Sequence, residues 1–398
     1  MNKNATTQLH IYSAFFVLAG FVLNRGVFLL FLAEKGMSVT EIALYQALFN
    51  IATVVLELPT GLIGDFFGKK FSIQVGVLLF FHTAGMLLLS GPFLVVLSLV
   101  EALAYSLQSG SEQALLYEIA RNAGQGERFL TINARLLAAQ SIATGMAIVL
   151  GSFIAQVSWS ALYVCVSIFY LLQLFLLYPI ERTEATRSES SEKGRFDTAK
   201  MFRRETWRVG ESAFAVLLLL IGTSMLDGFY GSYYNLNQLV FDAFDAPVSI
   251  IGIFFGASYA VNATAYIAAD FFSSRFGKRN TMLGSMLIEA GLFMILPWFA
   301  SNPLCLFGLS MVLCFLPEVV YITSENLIQD AIADDLRATI LSVASLVRAL
   351  FSAMFFSIFG HVLGLYPIQI ALGIIGAIAI AITAVVSLKM VGMQVSKN

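Results

Sequence analysis

Charge is what this chain has least of. Only 12% of its 398 residues are Asp, Glu, Lys or Arg, against about 25% in soluble domains. Hydrophobic residues make up 58%. No soluble core of this length hides so many, so a bilayer must be the solvent for much of the surface. Histidine is limited to His10, His82 and His361, and cysteine to Cys165, Cys305 and Cys314. Neither type forms a metal-spaced cluster, so a metal centre is not expected. The cysteines all fall inside apolar segments and read as small buried hydrophobes. No Walker-type G-x-x-x-x-G-K-[ST] is present, which argues against an ATP-driven pump. With no nucleotide or metal motif, an enzyme and a bound cofactor are not expected either. The net charge of −2 and a pI near 6 give no footing for nucleic acid.

Long apolar runs are what the chain does have. A membrane-crossing helix needs about 20 apolar residues. Twelve segments qualify, near 10–32, 41–63, 71–90, 93–116, 130–155, 159–180, 213–236, 247–271, 281–300, 304–328, 339–363 and 366–389. The first run is long and leads straight into the second, so it reads as a span rather than a cleavable leader. The runs are continuous, without the alternation of barrel strands, so the expected fold is all-α. Basic residues fix the orientation. Lys69, Lys70, Arg121, Arg128, Arg275, Lys278, Arg279 and Arg337 follow even-numbered segments, and the opposite loops hold only Lys35. Both termini are therefore expected in the cytoplasm. The one sizeable hydrophilic stretch, 181–211, reads as a tether that is Ser/Glu-rich at first and then compatible with an amphipathic helix on the inner leaflet.

The chain also repeats. Gly61-Leu-Ile-Gly-Asp65-Phe-Phe-Gly68-Lys69-Lys70 closes the second segment, and Asp270-Phe-Phe-Ser-Ser-Arg275-Phe-Gly277-Lys278-Arg279 closes the eighth, 209 residues later. The same offset relates Arg128 to Arg337 and Gly151 to Gly360. This predicts two six-helix bundles, 1–180 and 212–398, joined by the linker 181–211. Repeats of this kind place a transporter's binding site between the halves.

With its twelve spans, the chain resembles the major facilitator superfamily over nearly its whole length, and small bacterial efflux-type members in particular. The Gly61–Lys70 segment is similar to that superfamily's G-x-x-x-D-x-x-G-x-x signature. Glu57-Leu-Pro-Thr-Gly61 and Arg337-Ala-Thr-Ile-Leu-Ser342 also look like segments of those members. Two family features are missing: an arginine before the Gln108 region, and a Gly-Pro pair in the fifth segment. The resemblance implies a cytoplasmic gate made of Gly61, Asp65, Gly68, Lys69 and Lys70, with Arg275, Gly277, Lys278 and Arg279 as its second copy. Physically, Asp65 could cap a neighbouring helix N-terminus while the glycines allow a tight turn.

Ionisable groups deep in a membrane cost at least about 2.5–3.5 kcal/mol each on insertion scales, so they are functional candidates. Arg25, Glu101, Asp227 and Glu318 stand in the first, fourth, seventh and tenth segments. The resemblance implies that these helices line a central cavity. The four charges could bind a cationic or zwitterionic substrate, or one carboxylate could carry a coupling proton, with sodium as the other ion considered. A structural ion pair between Arg25 and Glu101 or Asp227 is the competing reading. Asn50, Glu57, Tyr230, Tyr234 and Asn262 are candidate cavity-lining residues. Glu112, Glu118, Arg128, Arg135, Glu325 and Arg337 are candidates for an inner gate. Arg348, like Arg135, enters its segment early and could belong to that gate, with snorkelling to the interface as the simpler reading, and Glu289 has no role. The expected function is alternating-access transport, proton-coupled, by a monomeric antiporter exporting small amphipathic or charged compounds from a bacterial inner membrane. An uptake permease for a metabolite and a non-transporting receptor or scaffold are the alternatives.

Overall fold

The computed structural model describes residues 3–181, 211–331 and 337–395. The expected tether at 181–211, with its amphipathic helix, thus lies almost wholly outside the described residues. Every regular element that is described is helical. The first half contains α1 (Lys3–Ala19), α2 (Phe28–Glu34), α3 (Val39–Phe67), α4 (Lys69–Phe80), α5 (His82–Gly85), α6 (Leu97–Asn122), α7 (Phe129–Val157) and α8 (Trp159–Leu177). The second contains α9 (Glu211–Asp242), α10 (Val248–Phe276), α11 (Lys278–Phe299), α12 (Pro303–Ala331), α13 (Arg337–Leu365) and α14 (Ile368–Val395). Among the described residues, nine helical stretches are long and apolar enough to cross a membrane. An apolar solvent offers the backbone no partner, and a helix satisfies its N–H and C=O groups internally.

Polar side chains punctuate the runs. Ser38 and Glu41 form a capping box at the start of α3, with Glu41 Oε2 accepting from Ser38 N at 2.8 Å. Asn302 Oδ1 accepts from the backbone of Leu304 and Cys305 at the start of α12. Ser158 caps α8. The repeat is visible in the backbone. α3 and α10 are both 29 residues long, and each ends in Phe followed by a glycine of positive φ. Gly68 has φ 94° and ψ 146°, and Gly277 has φ 81° and ψ 146°. A side chain in that conformation is strained, which accounts for glycine at both copies.

Two expected spans are not continuous helices. The first breaks between α1 and α2, at 20–27. The freed groups there are taken up by short-range turns and by α7: Thr144 Oγ1 donates to Gly20 O (2.7 Å) and Gln140 Nε2 donates to Phe16 O (3.1 Å). The third span is interrupted after Phe80. Here His82 Nδ1 lies 2.8 Å from Leu79 O, and Thr83 Oγ1 donates to Phe80 O at 2.8 Å. These short-range side-chain bonds compete with the helical ladder.

The chain divides into two compact units. Unit 1 comprises Met1–Thr186 with Phe241–Ala260, and unit 2 comprises Arg187–Val240 with Val261–Asn398. In unit 1, α6 packs against α1, α3 and α4, and α7 braces the broken first span. On one side its Gly151 lies against the broken segment, where an added Cβ would stand 1.8 Å from Leu23 O. Elsewhere it packs against the start of α10, with a Cβ on Gly252 falling 2.0 Å from Ser152 and one on Gly256 falling 2.8 Å from Gly145 O. Such small-residue contacts let helix backbones approach closely where apolar burial gives no drive. In unit 2, α11 packs against α12 and α14.

Gly151→Ala is therefore expected to lower the thermal unfolding temperature of the detergent-solubilised protein by several degrees. Gly231→Ala, where a Cβ meets nothing within 4 Å, is expected to leave it unchanged or raise it slightly.

Candidate functional site

Each unit contains its own polar cluster within an apolar bundle. In unit 1 the cluster is built on the break in the first span. Arg25 is carried by the unwound 20–27 segment, not by a helix, and its side chain is exposed. Its guanidinium lies 6.0 Å from the centre of the Tyr259 ring and acts on the Glu101 carboxylate. Glu101, on α6, accepts from the hydroxyl of Tyr45 on α3. Buried Asn24, next to Arg25, faces Tyr163 on α8. Arg25 and Glu101 thus share one site, with Tyr45 holding the acid in place.

In unit 2 the organising group is Arg348 on α13. Its Nε lies 2.8 Å from Asp227 Oδ2 on α9, and its Nη2 lies 3.1 Å from Glu325 Oε1 on α12. The Nε contact is a close ion pair rather than an aligned hydrogen bond. Nη1 donates to the Tyr321 hydroxyl at 3.4 Å, and the guanidinium lies 5.0 Å from that ring's centre. Three anchors fix a planar fork that a lysine could not replace. One helical turn away, Glu318 accepts from Asn262 Nδ2 at 3.2 Å. Pro317 interrupts the backbone ladder of α12 just before it. A small cleft is lined by Asp227, Tyr230, Tyr321, Glu325 and Arg348.

A major facilitator superfamily sequence model matches residues 11–356. The chain belongs to the major facilitator superfamily. As a member it is a multi-pass membrane transporter for a small-molecule substrate, not an enzyme. Among curated proteins none matches the chain by sequence. Solved structures share the fold at low identity. A crystal structure of a mutant of the nucleoside transporter NupG aligns with a TM-score of 0.75 at 17% identity, covering 97% of this chain and 99% of that one. A bacterial homologue of the iron transporter ferroportin, in an inward-facing state, aligns at 0.68 and 16%, covering 98% and 99%.

Several expected site residues in this superfamily member are placed differently by the structure. Arg348 is the residue that sequence reasoning underrates. It stands 11 residues inside the span that starts at Arg337, about 16 Å along a helix. Its guanidinium is paired with acids on two other helices rather than directed to the helix end alone. Glu325, expected in an inner gate, is paired with Arg348. Glu112 is not in an ion pair but is turned towards Gln108, whose amide, assigned from its partners, donates to Glu112 Oε1 at 3.1 Å. Among the described residues, Glu118, Arg128 and Arg135 form no ion pair, and both arginines are exposed. The Arg337 side chain is outside the described residues. Asn50 Nδ2 bonds back to Gln46 O in its own helix, at 2.8 Å. Glu57 is exposed, Tyr234 is half-buried, and Tyr230 is buried at the cleft.

The signature loop also differs from expectation. Asp65 caps no neighbouring helix among the described residues. Its carboxylate, on a side chain that is 67% exposed, pairs with Lys69 one turn along. The neighbour-helix capping is done by Lys70, which donates to Tyr178 O (3.0 Å) and Ile180 O (2.5 Å) at the end of α8. A cation there meets the negative end of the helix dipole and its orphan carbonyls. In the second copy, Arg275 lies 5.9 Å from the centre of the Phe276 ring, while Lys278 and Arg279 open α11.

Two outcomes follow. Lys70→Met is expected to destabilise by about 1 kcal/mol, as the loss of a helix cap does, whereas Lys69→Met, which removes an exposed pair, should cost under about 0.5 kcal/mol. Thermal unfolding of both variants checks this. Arg348→Gln leaves two acids facing each other, so adding Asp227→Asn should restore part of the lost stability. A double-mutant cycle should give a coupling of about 1 kcal/mol, since both groups are partly exposed. Strict additivity would contradict the clamp.

Proposed function

We propose that the protein is a secondary active transporter working by alternating access, proton-coupled, and exporting small amphipathic or charged compounds of the antibiotic, toxin or natural-product class. The observation that carries this reading is the sharing of Arg348 between Asp227 and Glu325. One guanidinium neutralises one carboxylate, so the trio holds an excess negative charge. A proton or a cationic substrate group can supply the missing charge and release Arg348 from one partner. Exchange of that kind ties occupancy of the cleft to a rearrangement of α9, α12 and α13, which is what coupling requires. Arg25, on a backbone already freed from helical constraint, and Glu101 on α6 form the counterpart in unit 1.

In this reading the protein is a monomer in a bacterial cytoplasmic membrane, with twelve spans and both termini inside, as the distribution of Lys and Arg supports. The halves are 1–180 and 212–398, and the Gly61–Lys70 segment, the end of α3 with the Gly68 turn and the start of α4, forms the cytoplasmic gate with its second copy. The coupling ion is taken to be the proton, with sodium as the alternative. Uptake of a polar metabolite is the second reading, favoured by hydroxyl groups from Thr223, Tyr321 and Ser324 that line the same cleft.

Reconstitution in sealed vesicles with an imposed pH gradient, against a panel of cationic amphipaths and polar metabolites, tests the proposal. At least one amphipath is expected to move against the proton flow. Movement of a metabolite with the protons selects the uptake reading. Fluxes that ignore the gradient for every compound would contradict both.

A further inference from the structure

Glu289 lies outside every element of the site described so far. It is on α11, wholly buried, with 0% of its surface exposed. Among the described residues no Lys, Arg or His pairs with it. The groups facing it are the Tyr230 hydroxyl from α9, the Cys314 thiol from α12 and, beside Tyr230, the Thr383 hydroxyl from α14. Among the described residues, neither Glu289 oxygen, nor Tyr230 Oη, nor Thr383 Oγ1 makes a hydrogen bond. A bare carboxylate in such surroundings pays a far larger desolvation penalty than a neutral acid, which can donate to one hydroxyl and accept from another. Tyr230 also lines the cleft that contains Asp227 and Arg348. Asp227 and Tyr230 are three residues apart on α9, so they share a face.

We propose that Glu289 is an internal proton-carrying site, neutral when enclosed in unit 2 and connected to the Asp227–Arg348 cleft through the Tyr230 hydroxyl. The carboxyl proton passes to Tyr230 Oη as Tyr230 gives its own hydroxyl proton to water or to a carboxylate in the cleft. Tyrosine is neutral before and after, and Glu289 is left ionised. The ionised form is stable only if unit 2 opens to water or a cation reaches the cavity, so protonation of Glu289 favours the closed packing of α11 on α12 and α14. The site itself rests on the buried geometry. Its use as the coupling proton rests on the transport reading above.

Infrared spectroscopy of the full-length protein in lipid separates the two. A protonated-carboxyl stretching band is expected in the wild type, lost in Glu289→Gln and kept in Tyr230→Phe. Tyr230→Phe is also expected to slow hydrogen–deuterium exchange of that band, by on the order of tenfold or more. If Glu289→Gln fails to fold, Glu289→Asp should shift the band instead of removing it. A band that survives unchanged in Glu289→Gln or Glu289→Asp overturns the proton site. Unaltered exchange in Tyr230→Phe overturns the relay. Sodium chloride abolishing the band, where choline chloride does not, overturns the assignment in favour of a cation site. Vesicles with no pH-driven flux but an intact, Glu289-dependent band would defeat the transport reading and leave the site standing.

Discussion

In a bilayer no backbone polar group can be left to water, and the rest of this structure follows from that constraint. It makes the described elements helical, and it makes any break in a helix expensive unless another element supplies partners. The break at 20–27 is supplied by α7. Thr144 and Gln140 take the carbonyls of Gly20 and Phe16, and Gly151 removes the side chain that would hold the two backbones apart. The unwound segment is therefore a built feature, and it carries Arg25 into the bundle beside Glu101.

The same constraint governs side-chain charge. Arg348 draws Asp227 and Glu325 to itself, Tyr45 holds Glu101, and Asn262 holds Glu318. These partners come from different helices, so each pairing also fixes helix packing. The backbone repeat does not extend to these groups. At the offset of 209 residues, Glu101 corresponds to Ser310, Asp227 to Leu18 and Arg348 to Ala139. Near-identical glycine geometry at Gly68 and Gly277 marks the repeat, while the charged groups around the two copies differ.

Much of the scaffold was legible in the sequence because apolar length and turn chemistry are local properties. The apolar runs and the glycine turns at Gly68 and Gly277 could all be read along the chain. Partnerships were less legible because they depend on helix rotation. Depth alone singled out Asp227, but the arginine that meets it sits 121 residues away in a span where it looked interfacial. The break in the first span left a trace in Gly20, Asn24 and Gly26, yet glycines are tolerated in membrane helices, and only the partners on α7 turn them into an interruption. Glu289 had no evident role because its partners, Tyr230 and Thr383, lie on helices far away in the chain.

On the proposed function Arg348, held between two acids, carries the transport chemistry rather than merely holding helices together. Exchanging the charges, Asp227→Arg with Arg348→Asp, keeps a pair of opposite sign at that contact but alters which helix presents the cation. Flux of the transported compound through vesicles carrying this protein is the direct measurement. A folded protein whose flux falls by about tenfold or more is expected. Flux at the wild-type rate would show that the pair is structural and that the substrate is handled elsewhere.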